Sequence, residues 1–161
     1  MSFWYIVMTR DGKFSYANVL RWTERIDILR DYDIMIIPIN IPKTSSTDAH
    51  WILSVIDIKE KHTVIYDSFE PGTTRYSSQP AHLEKHLHLL TWVEREHLRH
   101  VVPFTKASWR ATNPFSLNHR TPQQGYGKCP GVDCGVFIIT FAMYISTNHT
   151  LEFSQTDKPS L

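Results

Sequence analysis

The sequence predicts an α/β (α+β) domain in which a mostly antiparallel sheet packs against a buried helix that begins at Cys134. Three observations carry this expectation. Between residues 32 and 68, three short runs rich in Ile and Val are separated by turn signals, the pattern of adjacent strands. Ala81 to His100 and Cys134 to Ser146 are long enough for helices. A Gly- and Pro-rich stretch, Pro122-Gln-Gln-Gly-Tyr-Gly-Lys-Cys-Pro-Gly131, gives way at Cys134 to an apolar run.

Taken in order, Phe14 to Arg25 carries a helical pattern with Tyr16, Val19, Leu20 and Trp22 as its apolar positions. Tyr32 to Asn40 is a continuous Ile-rich run, which suits a strand buried on both faces. Pro42 to Asp48 is a polar loop. His50 to Ile58 and His62 to Ser68 are strands joined by the turn Lys59-Glu-Lys61, so they form a hairpin. Phe69 to Pro80 is loop, with Pro71-Gly72 as its turn. In Ala81 to His100 the apolar stripe reads Leu83, Leu87, Leu90 and Val93 or Leu98, with charge between, as in a surface helix packed on a sheet. Residues 101–119 are mixed, with room for an edge strand near Trp109. Cys134 to Ser146 is apolar on nearly every side and belongs at the centre of a core.

The chain has 161 residues, the size of one domain with a sizeable core. A net charge of +1 argues neither for nucleic acid nor for a membrane surface. Ser2-Phe-Trp-Tyr-Ile-Val-Met8 is too short for a signal core and lacks a basic lead-in. No apolar run is long enough to span a bilayer. Two cysteines, Cys129 and Cys134, are no disulfide framework, and their usage fits an intracellular, reducing compartment. His82, His86, His88, His97 and His100 need no ligand role, and neither a metal nor a cofactor is expected.

Cys134 sits where the first turn of a helix offers unpaired N–H groups and the positive end of its dipole, both of which favour a thiolate. A nucleophilic thiol needs a base and a group that orients the base. His50 opens one hairpin strand and Asp67 closes the other; His50 lies ten residues before Glu60 and Asp67 seven after it. Paired strands bring both to one end of the sheet. The expected contacts are imidazole Nδ1–H to Asp67 and Nε2 to Cys134, with the Gln124 amide and the Cys134 backbone N–H as donors to an oxyanion. Taken singly, each residue has a plainer reading: Cys134 as a small core residue, His50 as a polar strand end, Asp67 as a turn former.

Together, His50-Trp51, Ile65-Tyr66-Asp67-Ser68, Pro122-Gln123-Gln124 and Asp133-Cys134-Gly135-Val136-Phe137 resemble the SUMO/sentrin-specific cysteine proteases of ubiquitin-like proteins. Tyr16-Ala-Asn-Val-Leu-Arg-Trp22-Thr23 and Asp27-Ile28 agree, and the resemblance runs from about Phe3 to Phe153. It implies a papain-like fold and thiol-dependent cleavage after the C-terminal Gly-Gly of SUMO or a relative. His50 would be the base, Asp67 its orienter, Cys134 the nucleophile and Gln124 the oxyanion donor, with Gln123 as the fallback. Trp51 would be a wall of the narrow tunnel that admits the diglycine. The implied partners are SUMO or another ubiquitin-like protein and its conjugates, met by a monomer without nucleic acid or membrane, and the implied location is nuclear.

Two departures stand out. Gln124 lies ten residues before Cys134, farther than the family spacing, because of the stretch 125–131. The resemblance also begins in mid-domain, so residues 1–161 are expected to be a single catalytic domain lacking the family's N-terminal part and C-terminal helix. Cys129, in the long loop, could form a reversible disulfide with Cys134. Two other readings use the same residues: an impaired remnant that only binds a ubiquitin-like protein, and a Cys/His/acid acyltransferase.

Overall fold

The computed structural model describes residues 14–41, 49–68, 79–112 and 133–153. In chain order these give α1 (Ala17–Thr23), α2 (Ile28–Asp31), β1 (Ile34–Ile41), β2 (His50–Asp57), β3 (His62–Tyr66) and α3 (Gln79–Arg99). A 3₁₀ turn (Lys106–Ser108), β4 (Arg110–Thr112) and α4 (Cys134–Ser146) follow. The sheet order is β1-β2-β3-β4, antiparallel across the first two pairs and parallel between β3 and β4.

The strand buried on both faces is β2, not β1 as the Ile-rich run had suggested. In β1, Ile37 and Ile39 point inward while Pro38 is exposed. Proline has no N–H for a second ladder, so the strand that carries it belongs at an edge. In β2, alternate residues serve two cores. Ile52 and Ile56 pack with Ile37, Ile39 and Ile65 against α1 and α3 through Val19, Leu89, Trp92 and Val93. Leu53 and Val55 face Phe137, Ile138 and Phe141 of α4. The β2–β3 hairpin forms as expected, with Lys61 in the left-handed region at its turn (φ 51°) and Glu60 N–H donating to Asp57 Oδ1 at 2.8 Å.

The buried stripe of α3 is Leu89, Leu90, Trp92, Val93, Glu96 and His97; Leu90 and Val93 of the stripe read from sequence are in it, while Leu87 and Leu98 are exposed and Glu96 and His97 are buried instead. The cause is a buried polar clasp. The Glu96 carboxylate accepts from Tyr16 Oη at 2.7 Å and Thr23 Oγ1 at 2.9 Å, and pairs with Arg99. Arg99 Nη2 also donates to the carbonyls of Thr23 and Ile26, at 3.0 and 3.1 Å, satisfying the open C-terminal end of α1. A charge on the inner face is therefore matched rather than excluded, and it locks α1 to α3.

Helix α4 spans the residues read from sequence, but only one stripe of it is buried: Cys134, Phe137, Ile138 and Phe141. Ile139 and Met143 are 58% and 56% exposed, so α4 lies on the sheet rather than at the centre of a surrounding core. The edge strand expected near Trp109 is β4. Among the described residues, no helix is long and apolar enough to cross a membrane.

Candidate active site

The register of the hairpin builds the site. Leu53 pairs with Tyr66, so His50, three residues before Leu53, and Asp67, one after Tyr66, emerge at the same end of the ladder. His50 Nε2 lies 2.7 Å from Asp67 Oδ1, with the imidazole wholly shielded from solvent and Asp67 buried beside it. Helix α4 delivers the third group. Phe137, Ile138 and Phe141 seat one face of the helix on Leu53 and Val55, and the same stripe, continued to the N-terminus, ends at Cys134 beside the start of β2.

Cys134 is a buried thiol in no disulfide, and its electrostatic surroundings are set in large part by the neighbouring His50 side chain. Burial pushes the thiol up. The His50 hydrogen bond and charge, with the main-chain N–H groups of Trp51 and Gly135, outweigh it and hold Cys134 below the ordinary thiol range. For His50, burial pulls the imidazole down, but the hydrogen bonds and charges of Asp67 and Cys134 raise it above its ordinary value. The two shifts have the sense required for a thiolate–imidazolium pair near neutral pH.

The ring nitrogens are the reverse of the sequence-based expectation: Nε2 serves Asp67, which leaves Nδ1 for the thiol. The sulfur also takes the main-chain N–H of Trp51, the residue next to His50. It therefore sits close to the backbone of His50, and Nδ1 is the ring nitrogen nearest that backbone. Nε2, at the far edge of the ring, reaches across the ladder to Asp67.

His50, Asp67 and Cys134 are thus brought together, and Trp51 adjoins them, its half-buried indole packed on the α4-facing core. Gln124, its fallback Gln123, and Cys129 lie outside the described residues. The Gly135 N–H is one of the first-turn donors expected at Cys134, whereas the Trp51 main-chain N–H escaped the sequence reading because backbone groups carry no residue identity. Among the described residues no three of His, Cys, Asp and Glu gather as metal ligands. His97 Nδ1 instead meets the Val93 carbonyl at 3.0 Å, and the ring packs on Phe104 and Trp109.

A cysteine opening a helix, laid against a sheet whose strand ends present histidine and a carboxylate, is the architecture of the papain-like cysteine-peptidase superfamily. Within that class the chain belongs to the Ulp1 protease family, whose C-terminal catalytic domain it matches over residues 7–161. It is 30% identical over 145 residues to a sentrin-specific protease of Caenorhabditis elegans, covering 89% of this chain and 17% of that protein. It is 28% identical over 161 residues to ubiquitin-like-specific protease 1 of Saccharomyces cerevisiae, covering 97% of this chain and 21% of that protein. Among solved structures, it resembles the C-terminal Ulp1 protease domain in complex with Smt3, the yeast ortholog of SUMO. There the TM-score is 0.71 at 25% identity, over 97% of this chain and 59% of that one. The Ulp1-like SUMO protease catalytic domain of Chaetomium thermophilum gives a TM-score of 0.63 at 25% identity, over 97% and 53%. The chain therefore spans well under half the length of these curated relatives, and about three-fifths of the first of these solved domains.

Proposed function

We propose that this chain supplies the catalytic centre of a thiol protease that cleaves the peptide or isopeptide bond after the C-terminal diglycine of SUMO or a related ubiquitin-like protein. The observation that carries the reading is the buried Cys134–His50–Asp67 cluster, with its thiol held low and its imidazole held high. Family membership supports the reaction class, and the likeness to a protease domain crystallised with a SUMO ortholog supports the substrate class.

In the first half-reaction the Cys134 thiolate attacks the glycyl carbonyl carbon. The oxyanion is met by the Cys134 main-chain N–H and by the amide assigned to Gln124. His50, protonated at Nδ1, passes that proton to the leaving amine as the C–N bond breaks, and a thioester remains on Cys134. In the second half-reaction neutral His50 takes a proton from water, hydroxide adds to the thioester, and the thiolate departs. Asp67 accepts from Nε2–H and so fixes the tautomer that leaves Nδ1 for the sulfur. Trp51, beside the nucleophile, is assigned to wall a slot too narrow for side chains, which selects glycine.

The test is a panel of ubiquitin-like proteins carrying a C-terminal electrophile. A covalent adduct with a SUMO-type probe, mapped to Cys134 and lost in Cys134→Ala, supports the reading. Binding without an adduct would support a non-cleaving receptor, and transfer of acetyl from acetyl-CoA to a protein would support an acyltransferase; either result overturns it.

A further inference from the structure

Tyr66 occupies a position that neither the proposed chemistry nor the core alone explains. It precedes Asp67 directly, so its main chain sets where the carboxylate emerges. Its side chain points to the opposite face of the sheet from Ile65, toward α4, as alternation along a strand requires. There its ring lies 5.7 Å from that of Phe141. Phe141 is on the buried stripe of α4, seven residues or two turns after Cys134, and its ring meets Phe137 at 6.0 Å and Phe153 at 5.4 Å. One aromatic contact thus joins the strand that ends at the carboxylate to the helix that starts at the thiol. The hydrogen-bonded His50–Asp67 pair fixes its own end to the sheet, whereas the sulfur is carried by α4 and must be brought to the sheet by the seating of that helix. Its distance from Nδ1 depends on how deeply and at what rotation α4 is seated.

We infer that Tyr66 is a positioning residue, whose ring, through Phe141, seats α4 so that the Cys134 sulfur is held beside the His50 imidazole. The inference rests on the reading of Cys134 as the nucleophile. The ring rather than the hydroxyl carries the role, so phenylalanine would serve and an aliphatic side chain would not. Loss of the contact lets α4 tilt, lengthens the sulfur–imidazole contact and weakens the attraction that favours the thiolate. Small displacements of reacting groups are costly, on the order of 10²-fold for 1 Å.

The experiment measures the rate of iodoacetamide alkylation of Cys134 against pH in a Cys129→Ser background, where the midpoint reports the thiol. Tyr66→Phe is expected to keep the parent midpoint. Tyr66→Leu and Phe141→Leu are expected to raise it by about one pH unit and to lower kcat about 10-fold with KM unchanged. Val93→Ala, in the other core, is expected to lower stability without moving the midpoint, which separates positioning from general destabilisation. If Tyr66→Leu does not fold, Phe141→Leu decides from the other side of the contact. A low parent midpoint that stays in place in the folded leucine variants overturns the positioning role alone. A parent midpoint in the ordinary thiol range overturns the site reading beneath it.

Discussion

His50 Nε2 stands 2.7 Å from Asp67 Oδ1 at the open end of the β2–β3 hairpin, and this contact settles which nitrogen is left for the thiol. Imidazole has two nitrogens and the chemistry needs both: one anchored, one exchanging a proton with sulfur. Asp67→Asn keeps an oxygen that can accept from Nε2–H but removes the charge that helps hold imidazolium. We expect kcat to fall by about 10²–10⁴-fold. The alkaline limb of the kcat/KM profile should move to lower pH, because the strongest upward influence on His50 comes from Asp67. A pH–rate profile of the purified variant checks both.

Removing the sulfur should be visible at the imidazole. Burial lowers His50, while Asp67 and Cys134 both raise it, so Cys134→Ser takes away one of the two upward influences. The folded value of His50 in the parent lies above the unfolded one. Its contribution to stability is therefore fully present below about pH 6.5 and is lost as pH rises through the folded value. In Cys134→Ser that loss should begin at lower pH. Histidine titration by NMR, with urea midpoints collected across the same range, would show the shift; an unchanged His50 titration would contradict the coupling.

The two faces of α4 should respond differently to substitution. Phe141 is fully buried among Tyr66, Phe137 and Phe153, and Phe141→Ala should cost about 3–5 kcal/mol. Ile139→Ser and Met143→Ser fall on the exposed side and should stay within about 0.5 kcal/mol of the parent. Urea denaturation of the three variants tests the assignment of faces, and equal losses would contradict it.

The Glu96 clasp makes a fourth case. Glu96→Ala strips Tyr16, Thr23 and Arg99 of their shared acceptor and leaves a guanidinium partly buried without its counter-ion. A loss of about 3 kcal/mol is expected, with kcat/KM of the folded protein unchanged, since the clasp ties α1 to α3 and not to the thiol. Chemical denaturation and initial rates on the same preparation check the two halves of this statement.

Much of this organisation was readable from the residues. The hairpin declared itself through two β-rich runs and a charged turn, and with it the meeting of His50 and Asp67. Cys134 was legible as a helix start because a Gly- and Pro-rich stretch stops there. Other features depend on tertiary choices that a linear pattern does not encode. Periodicity put Leu90 and Val93 inward, as they are, but Leu87 as well, with Leu98 as the alternative to Val93, because it assigns charge to water and could not know that Glu96 meets Arg99, Tyr16 and Thr23. An Ile-rich run reads alike in a central or an edge strand until Pro38 is weighed. The choice between Nδ1 and Nε2 followed from where the sulfur sits relative to the backbone of Trp51, which no side-chain identity reveals.

The central claim is that Cys134, drawn toward thiolate by His50, attacks the carbonyl after a diglycine. The most direct measurement follows release of a C-terminal extension from a SUMO precursor, with intact-mass analysis of acid-quenched enzyme during turnover. Release by the parent, with a thioester-linked SUMO on Cys134 and neither signal in Cys134→Ala, is the predicted result. Release at the parent rate by Cys134→Ala, or a fully folded parent that forms no adduct and releases nothing, would contradict it.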